Sequence, residues 1–222
     1  MAGTLLAEIK RAAARLDGHA RQTPLEHSPG LSALSGAEVW LKCEHLQHTG
    51  SFKFRGAYNC IAGLGDKARA GVIAASSGNH GMAVARAAGE AGVSATVCLP
   101  ASVSPLKKAA IEALGAAIHM VEGDALAAET RARKMADRQG IPFISPYNDL
   151  RVMAGQGTIG LEIAAVDMAF DGLFAAVGGG GMIGGIGAVL SRGLPGCRLG
   201  LLAGSCRQPS SLYRGRPYYH RR

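Results

Sequence analysis

The chain of 222 residues carries 24 Lys and Arg against 16 Asp and Glu, and its 32 glycines are roughly twice the usual 7% share. That length suffices for one large domain or two small ones, no apolar stretch reaches the ~18 residues of a membrane span, and no secretory signal stands at the N-terminus, so a cytoplasmic protein without membrane contact is expected. The basic excess does not mark a nucleic-acid surface: residues 172–222 hold seven Arg and no acid, residues 1–171 hold 17 basic and 16 acidic side chains, and a nucleic-acid-binding body spreads its charge across the fold.

In chain order, Thr4 is expected to cap a helix to about Asp17, with Leu5, Leu6, Ile9, Ala12, Ala13 and Leu16 on one face. Residues 37–42 read as a strand, and Ser51 as the cap of a helix to about Leu64. A short apolar strand at 71–75 leads through a loop at 76–79 into a helix from His80 to about Ala91. The β-branched run 93–99 is a strand, and Ser104-Pro105 starts a helix because Pro is tolerated in the first helical turn. A strand at 116–121, a helix at 124–139, a strand near 141–144 and a helix at 155–166 follow. The apolar run 173–177 is a strand, and the apolar stretch from Met182 to Leu190 is a helix. Such alternation argues for an α/β fold with open, mostly parallel sheets flanked by helices. Ligands in such sheets sit at the carboxyl ends of the strands. Five cysteines, at 43, 60, 98, 197 and 206, show no CxxC or Cys/His ligand spacing. Buried free thiols are expected rather than disulfides or a metal site.

Four segments carry chemistry. Gly178-Gly179-Gly180-Gly181 lie between a strand and a helix, where unpaired N–H groups and the positive end of the helix dipole face an anion. No lysine follows in the nucleotide-loop pattern and no acidic residue follows at all, so a phosphate other than a nucleotide's is favoured. Lys53 stands between Phe52 and Phe54 at a helix start. Desolvation and the dipole both disfavour its charge, as a Schiff-base lysine requires. Ser76-Ser77-Gly78-Asn79-His80 ends a strand with small polar groups suited to a carboxylate and a phenolate oxygen. Gly155-Gln156-Gly157-Thr158-Ile159 is less specific, and close helix packing accounts for it equally well.

Together these segments resemble the pyridoxal-phosphate enzymes of the tryptophan-synthase-β fold type (fold type II), in the threonine/serine dehydratase and serine racemase branch. The resemblance runs from Arg21-Gln22-Thr23-Pro24-Leu25 through Glu44–Lys53, Ser76–His80 and Gly155–Glu162 to Gly178–Met182. It implies that Lys53 carries pyridoxal 5'-phosphate covalently and moves the substrate's Cα proton. Phe52 would pack beside the cofactor ring, Asn79 would bond its phenolic oxygen, and Gly178, Gly179, Gly180, Gly181 and Met182 would bind the phosphate. Ser76, Ser77, Gly78 and His80 would receive the substrate carboxylate, and Ser77 also matches the second proton-transfer group of the racemases. The implied activity is deamination of L-threonine or L-serine, through β-elimination of water, to a 2-keto acid and ammonia. Alternatives are another hydroxy amino acid, racemisation, a sulfhydrylase or threonine synthase, or a scaffold without catalysis.

The resemblance also implies two domains: a larger one from 1–68 and 153–204, and a smaller one, 69–152, inserted into it. A small-molecule substrate, no nucleic acid and no metal are expected, with self-association of the complete enzyme. Family members extend well beyond Leu199, where the resemblance fades. The stretch from Leu201 holds five Arg, three Tyr and no acid. The large domain is therefore expected to be incomplete, with a disordered basic tail over 205–222.

Overall fold

The computed structural model describes residues 2–193 and 197–203. Helix α1, Ala2–Leu16, buries Ile9, Ala12 and Leu16 and half-buries Leu5, Leu6 and Ala13, as the periodicity requires. It begins before Thr4, which is therefore inside the helix and not its cap. Strands β1, Leu25–His27, and β2, Trp40–Lys42, pair antiparallel with Glu26 opposite Leu41, and the short helix α2, Pro29–Ser35, joins them. Neither β1 nor α2 is evident in the sequence periodicity, because three residues of strand and two turns of helix show too little of either period.

Helix α3, Lys53–Leu64, is buried along most of its length. Ser51 does not cap it. Its backbone is extended (φ −163°, ψ 157°) two residues before the first helical residue, and its hydroxyl is buried without a partner. Strands β3, Val72–Ala75, β4, Ala95–Pro100, and β5, Ala117–Val121, form a parallel sheet in that order. Three helices connect and cover it: α4, Asn79–Glu90, α5, Pro105–Glu112, and α6, Ala125–Gln139. Ser104 caps α5 by accepting from Lys107 N, and Asp124 caps α6 by accepting from Ala127 N. The strand expected at 141–144 is instead a single parallel bridge between Ile73 and Phe143. Ile73 N donates to Pro142 O at 2.9 Å and Ile144 N to Ile73 O at 2.8 Å. The ladder goes no further because Pro142 and Pro146 offer no N–H.

Helix α7, Leu150–Ala164, starts five residues before the expected Gly155, because the Asp149 carboxylate accepts from Arg151 N at 2.7 Å and caps it there. Strand β6, Gly172–Val177, runs parallel to β7, Arg198–Ala203, and helix α8, Gly181–Gly193, connects them. The α/β architecture with mostly parallel strands stands; besides the three-stranded parallel sheet there are two separate two-stranded ladders, β1–β2 antiparallel and β6–β7 parallel. The expected tail at 205–222 lies outside the described residues. The fourth chemical segment is a packing device: a β-carbon on Gly155 would meet Arg55 O at 2.5 Å, and one on Gly157 would meet Ile9 Cδ1 at 2.6 Å. Glycine lets α7 approach the α3 backbone and the Ile9 side chain of α1. No described helix is long and apolar enough to cross a membrane.

Candidate active site

Lys53 is the first residue of α3, delivered by a sharp reversal at Thr49, which takes φ 60°. The ammonium is half-buried, donates to Pro146 O at 2.9 Å and lies 5.1 Å from the centroid of the Phe52 ring. Neither neighbour is anionic, so burial pushes the amine below the usual lysine range, as the apolar flanks lead one to expect. Phe52 and Met182 pack on one apolar cluster with Ile159, Ile163, Ile186 and Leu190, which seats the lysine turn beside the start of α8.

Two residues beyond Lys53, Arg55 is only 1% exposed. Its guanidinium forks both oxygens of Glu44, at 2.9 and 2.8 Å, and both oxygens of Glu162, and also reaches Thr158 Oγ1 at 3.2 Å. Lys42 pairs with Glu162 as well. Burial alone would lower the Arg55 pKa, but the two carboxylates outweigh it and hold the pKa above its ordinary value. Two cations and two carboxylates thus lock the first turn of α3 to α7 and to β2.

The four glycines of the loop serve different purposes. A β-carbon on Gly178 would meet nothing within 4 Å, so the loop is open on that side. Gly180 has φ 82°, a conformation that other residues enter only with strain. A β-carbon on Gly179 would lie 2.1 Å from Tyr147 Cγ, and one on Gly181 would lie 3.1 Å from Tyr147 Cα. Within α8 the first bond runs from Gly184 N to Gly180 O, so the N–H groups of Gly181, Met182 and Ile183 have no partner inside the helix.

Ser76, Ser77 and Gly78 are half-buried at the carboxyl end of β3, where Ser76 Oγ accepts from Gly78 N at 3.2 Å. Asn79 opens α4 with an exposed side chain. The His80 imidazole turns away from that loop. It is 3% exposed, its Nε2 lies 2.9 Å from Ile144 O, and its Nδ1 has no partner. Burial, with the nearby Lys53 charge, lowers its pKa to about 4. Any contact of His80 with a bound carboxylate would therefore come through its backbone.

Sequence reasoning missed the segment that brings these parts together. Ile144 O meets His80, Pro146 O meets Lys53, and Tyr147 backs onto the glycine loop. The available signal was the turn-forming run Ser145-Pro146-Tyr147-Asn148-Asp149 directly after an expected strand, which is where ligand-facing loops lie. A cavity of about 420 Å³ lies elsewhere, between Gln22–Leu25, Trp40 and the end of α7, and contains none of these residues.

The site suits a cofactor bearing both a phosphate and a carbonyl. The start of α8 offers unpaired N–H groups to the phosphate, Gly178 leaves the approach open, and Lys53 is an amine with no carboxylate partner among the described residues. Comparison with known proteins gives the same class. Residues 16–216 match the family described as pyridoxal-phosphate dependent enzyme. The L-threo-3-hydroxyaspartate ammonia-lyase of a Pseudomonas species is 40% identical over 194 residues, covering 86% of this chain and 60% of that enzyme. The L-threonine ammonia-lyase of Thermotoga maritima is 43% identical over 183 residues, covering 82% of this chain and 45% of that one. The structure of maize serine racemase superimposes with a TM-score of 0.84 at 31% identity, covering 88% of this chain and 60% of that one. The chain belongs to the pyridoxal-phosphate-dependent enzymes, in the group of threonine/serine ammonia-lyases and racemases, and its cofactor is pyridoxal phosphate. It spans 60% or less of the length of these three relatives.

Proposed function

We propose that this site deaminates a β-hydroxy amino acid, L-threonine or L-serine, to a 2-keto acid and ammonia, by eliminating water across Cα and Cβ and taking water up again on hydrolysis. The observation that carries the reading is the desolvated Lys53 amine, held on Pro146 O beside the start of α8. Pyridoxal phosphate, once bound, supplies the electron sink that makes the Cα proton acidic. The chain's own groups do the rest. Gly178, Gly179, Gly180, Gly181 and Met182 hold the phosphate at the positive end of α8. Asn79 donates to the ring oxygen, and Ser76, Ser77 and Gly78 orient the substrate carboxylate. The Lys53 amine takes the proton from Cα, a task suited to a lysine whose pKa is lowered toward neutrality. The proton that Lys53 takes from Cα balances the one the β-hydroxyl gains as it leaves as water, and water then hydrolyses the released enamine to keto acid and ammonia.

The same reading divides the chain at about 68 and 152, with the three-stranded parallel sheet as the smaller domain and the site between the two. The 40% identity to a hydroxyaspartate ammonia-lyase favours, as a second reading, a substrate bearing another carboxylate on Cβ. Ser77, which matches the second proton-transfer group of the racemases, leaves racemisation as a side activity.

Borohydride reduction in the presence of pyridoxal phosphate, followed by peptide mapping, is expected to label Lys53 and to fail in Lys53→Ala. An adduct at Lys42, Lys107 or Lys108 would sink the assignment. Keto-acid release from threonine, serine and hydroxyaspartate, measured side by side, separates the two substrate readings.

A further inference from the structure

We propose that His80 is a positioning residue for Lys53: its imidazole fixes the segment from Ile144 to Pro146 so that the Pro146 carbonyl meets the lysine amine. The inference rests on the assignment of Lys53 as the reactive amine. The Ile144 peptide is held at both ends, its N–H by Ile73 O at 2.8 Å and its C=O by His80 Nε2 at 2.9 Å. Two residues later Pro146 O accepts from Lys53 Nζ at 2.9 Å. Proline has no N–H of its own to anchor it, so the turn that carries its carbonyl is held from the neighbouring residues, by Ile144 on one side and by Asn148 N donating to Ser145 Oγ at 3.0 Å on the other. The next residue, Tyr147, backs onto Gly179 and Gly181. A shift of Ile144 O would therefore displace both the acceptor of the amine and the support of the phosphate loop.

The chemistry of the ring agrees with this role. A carbonyl only accepts, so Nε2 carries the proton, and in the neutral imidazole Nδ1 is a bare acceptor. Nδ1 is buried and unpartnered, and Lys53 is the charged group that acts on the ring. The fold thus places a neutral donor beside the lysine, where an imidazolium would repel it. A direct substrate contact by the ring is not available, since it is 3% exposed and its donor is already engaged.

The test uses the cofactor-free 222-residue chain, trace labelling with acetic anhydride over a pH series, and mass spectrometry of the Lys53 peptide. In His80→Leu the orphaned Ile144 carbonyl turns to water, the lysine loses its dry site, and the Lys53 labelling midpoint rises by about one pH unit. In His80→Gln the amide nitrogen overlays Nε2, donates to Ile144 O and keeps the wild-type midpoint. In His80→Asn the amide overlays Nδ1, falls short and behaves like leucine. An unchanged midpoint in a folded leucine variant overturns the proposal, as does failure of glutamine to restore it. If the leucine variant does not fold, equal midpoints for glutamine and asparagine overturn it, and a one-unit separation supports it. Because no cofactor is used, a negative result leaves the borohydride mapping of Lys53 standing on its own.

Discussion

The ring of Tyr147 lies so close to Gly179 that a β-carbon on the glycine would sit 2.1 Å from Tyr147 Cγ, although the two residues are far apart in sequence. Gly179→Ala must therefore displace the tyrosine. The expected cost is about 1–3 kcal/mol of stability, as for other overpacked sites. Adding Tyr147→Ala should recover part of that loss, since neighbouring residues couple. Gly178→Ala, with nothing within 4 Å, should change stability by less than about 0.5 kcal/mol while weakening pyridoxal phosphate binding. Urea unfolding and cofactor titration of the four chains measure both quantities. Equal stability losses at the two glycines would show that Tyr147 does not set the requirement.

Arg55 is the only residue that touches both Glu44 and Glu162 among the described residues. Arg55→Met leaves two half-buried carboxylates with Lys42 as the remaining cation. The expected loss is about 3–5 kcal/mol, the usual result of orphaning one side of a buried charge cluster. Arg55→Lys should rescue little of it, because an ammonium cannot fork two carboxylates at once. Thermal unfolding of the two variants tests this, and a lysine variant as stable as wild type would refute the geometric argument.

The strong elements were legible in the sequence because each states its own physics. The Ser104-Pro105 start, the Asp124 region and the β-branched 93–99 run all appear where local chemistry places them. Lys53 was legible too, since two flanking phenylalanines and a helix start predict desolvation. Ser51 misled because cap chemistry depends on backbone angles that residue identity does not give. Pro146 and Tyr147 were missed because their role comes from a carbonyl and a ring face, and the turn-forming run that holds them marks a loop without saying what it meets. The inward turn of His80 likewise follows from Ile144 O lying 64 residues away.

The cysteines make a chemical prediction. Cys43, Cys60 and Cys98 are buried free thiols, as expected, while Cys197 is partly exposed and Cys206 lies outside the described residues. Burial first, then the Asp149 carboxylate, pushes the Cys60 thiol up to about 12. Since the thiolate is the reactive form, Cys60 should resist maleimide at neutral pH and react only once the chain is unfolded in urea. Mass mapping that finds Cys60 among the rapidly labelled thiols of the folded chain would contradict its burial.

The last prediction concerns acid. His80 titrates near its ordinary value of 6.5 when unfolded but at about 4 when folded, because burial disfavours the imidazolium. Between those two values the unfolded chain binds more protons than the folded one. Stability contributed by the neutral histidine is therefore complete above pH 6.5 and falls as the pH drops from 6.5 toward 4. The shift corresponds to about 3 kcal/mol over the whole window. His80→Gln keeps the hydrogen bond to Ile144 O but cannot titrate, so its unfolding free energy should fall less steeply there. Urea titrations of both chains at intervals across that range give the two slopes. Parallel slopes would mean that the imidazole is already wet or charged in the folded protein, and its burial against Ile144 O would have to be abandoned.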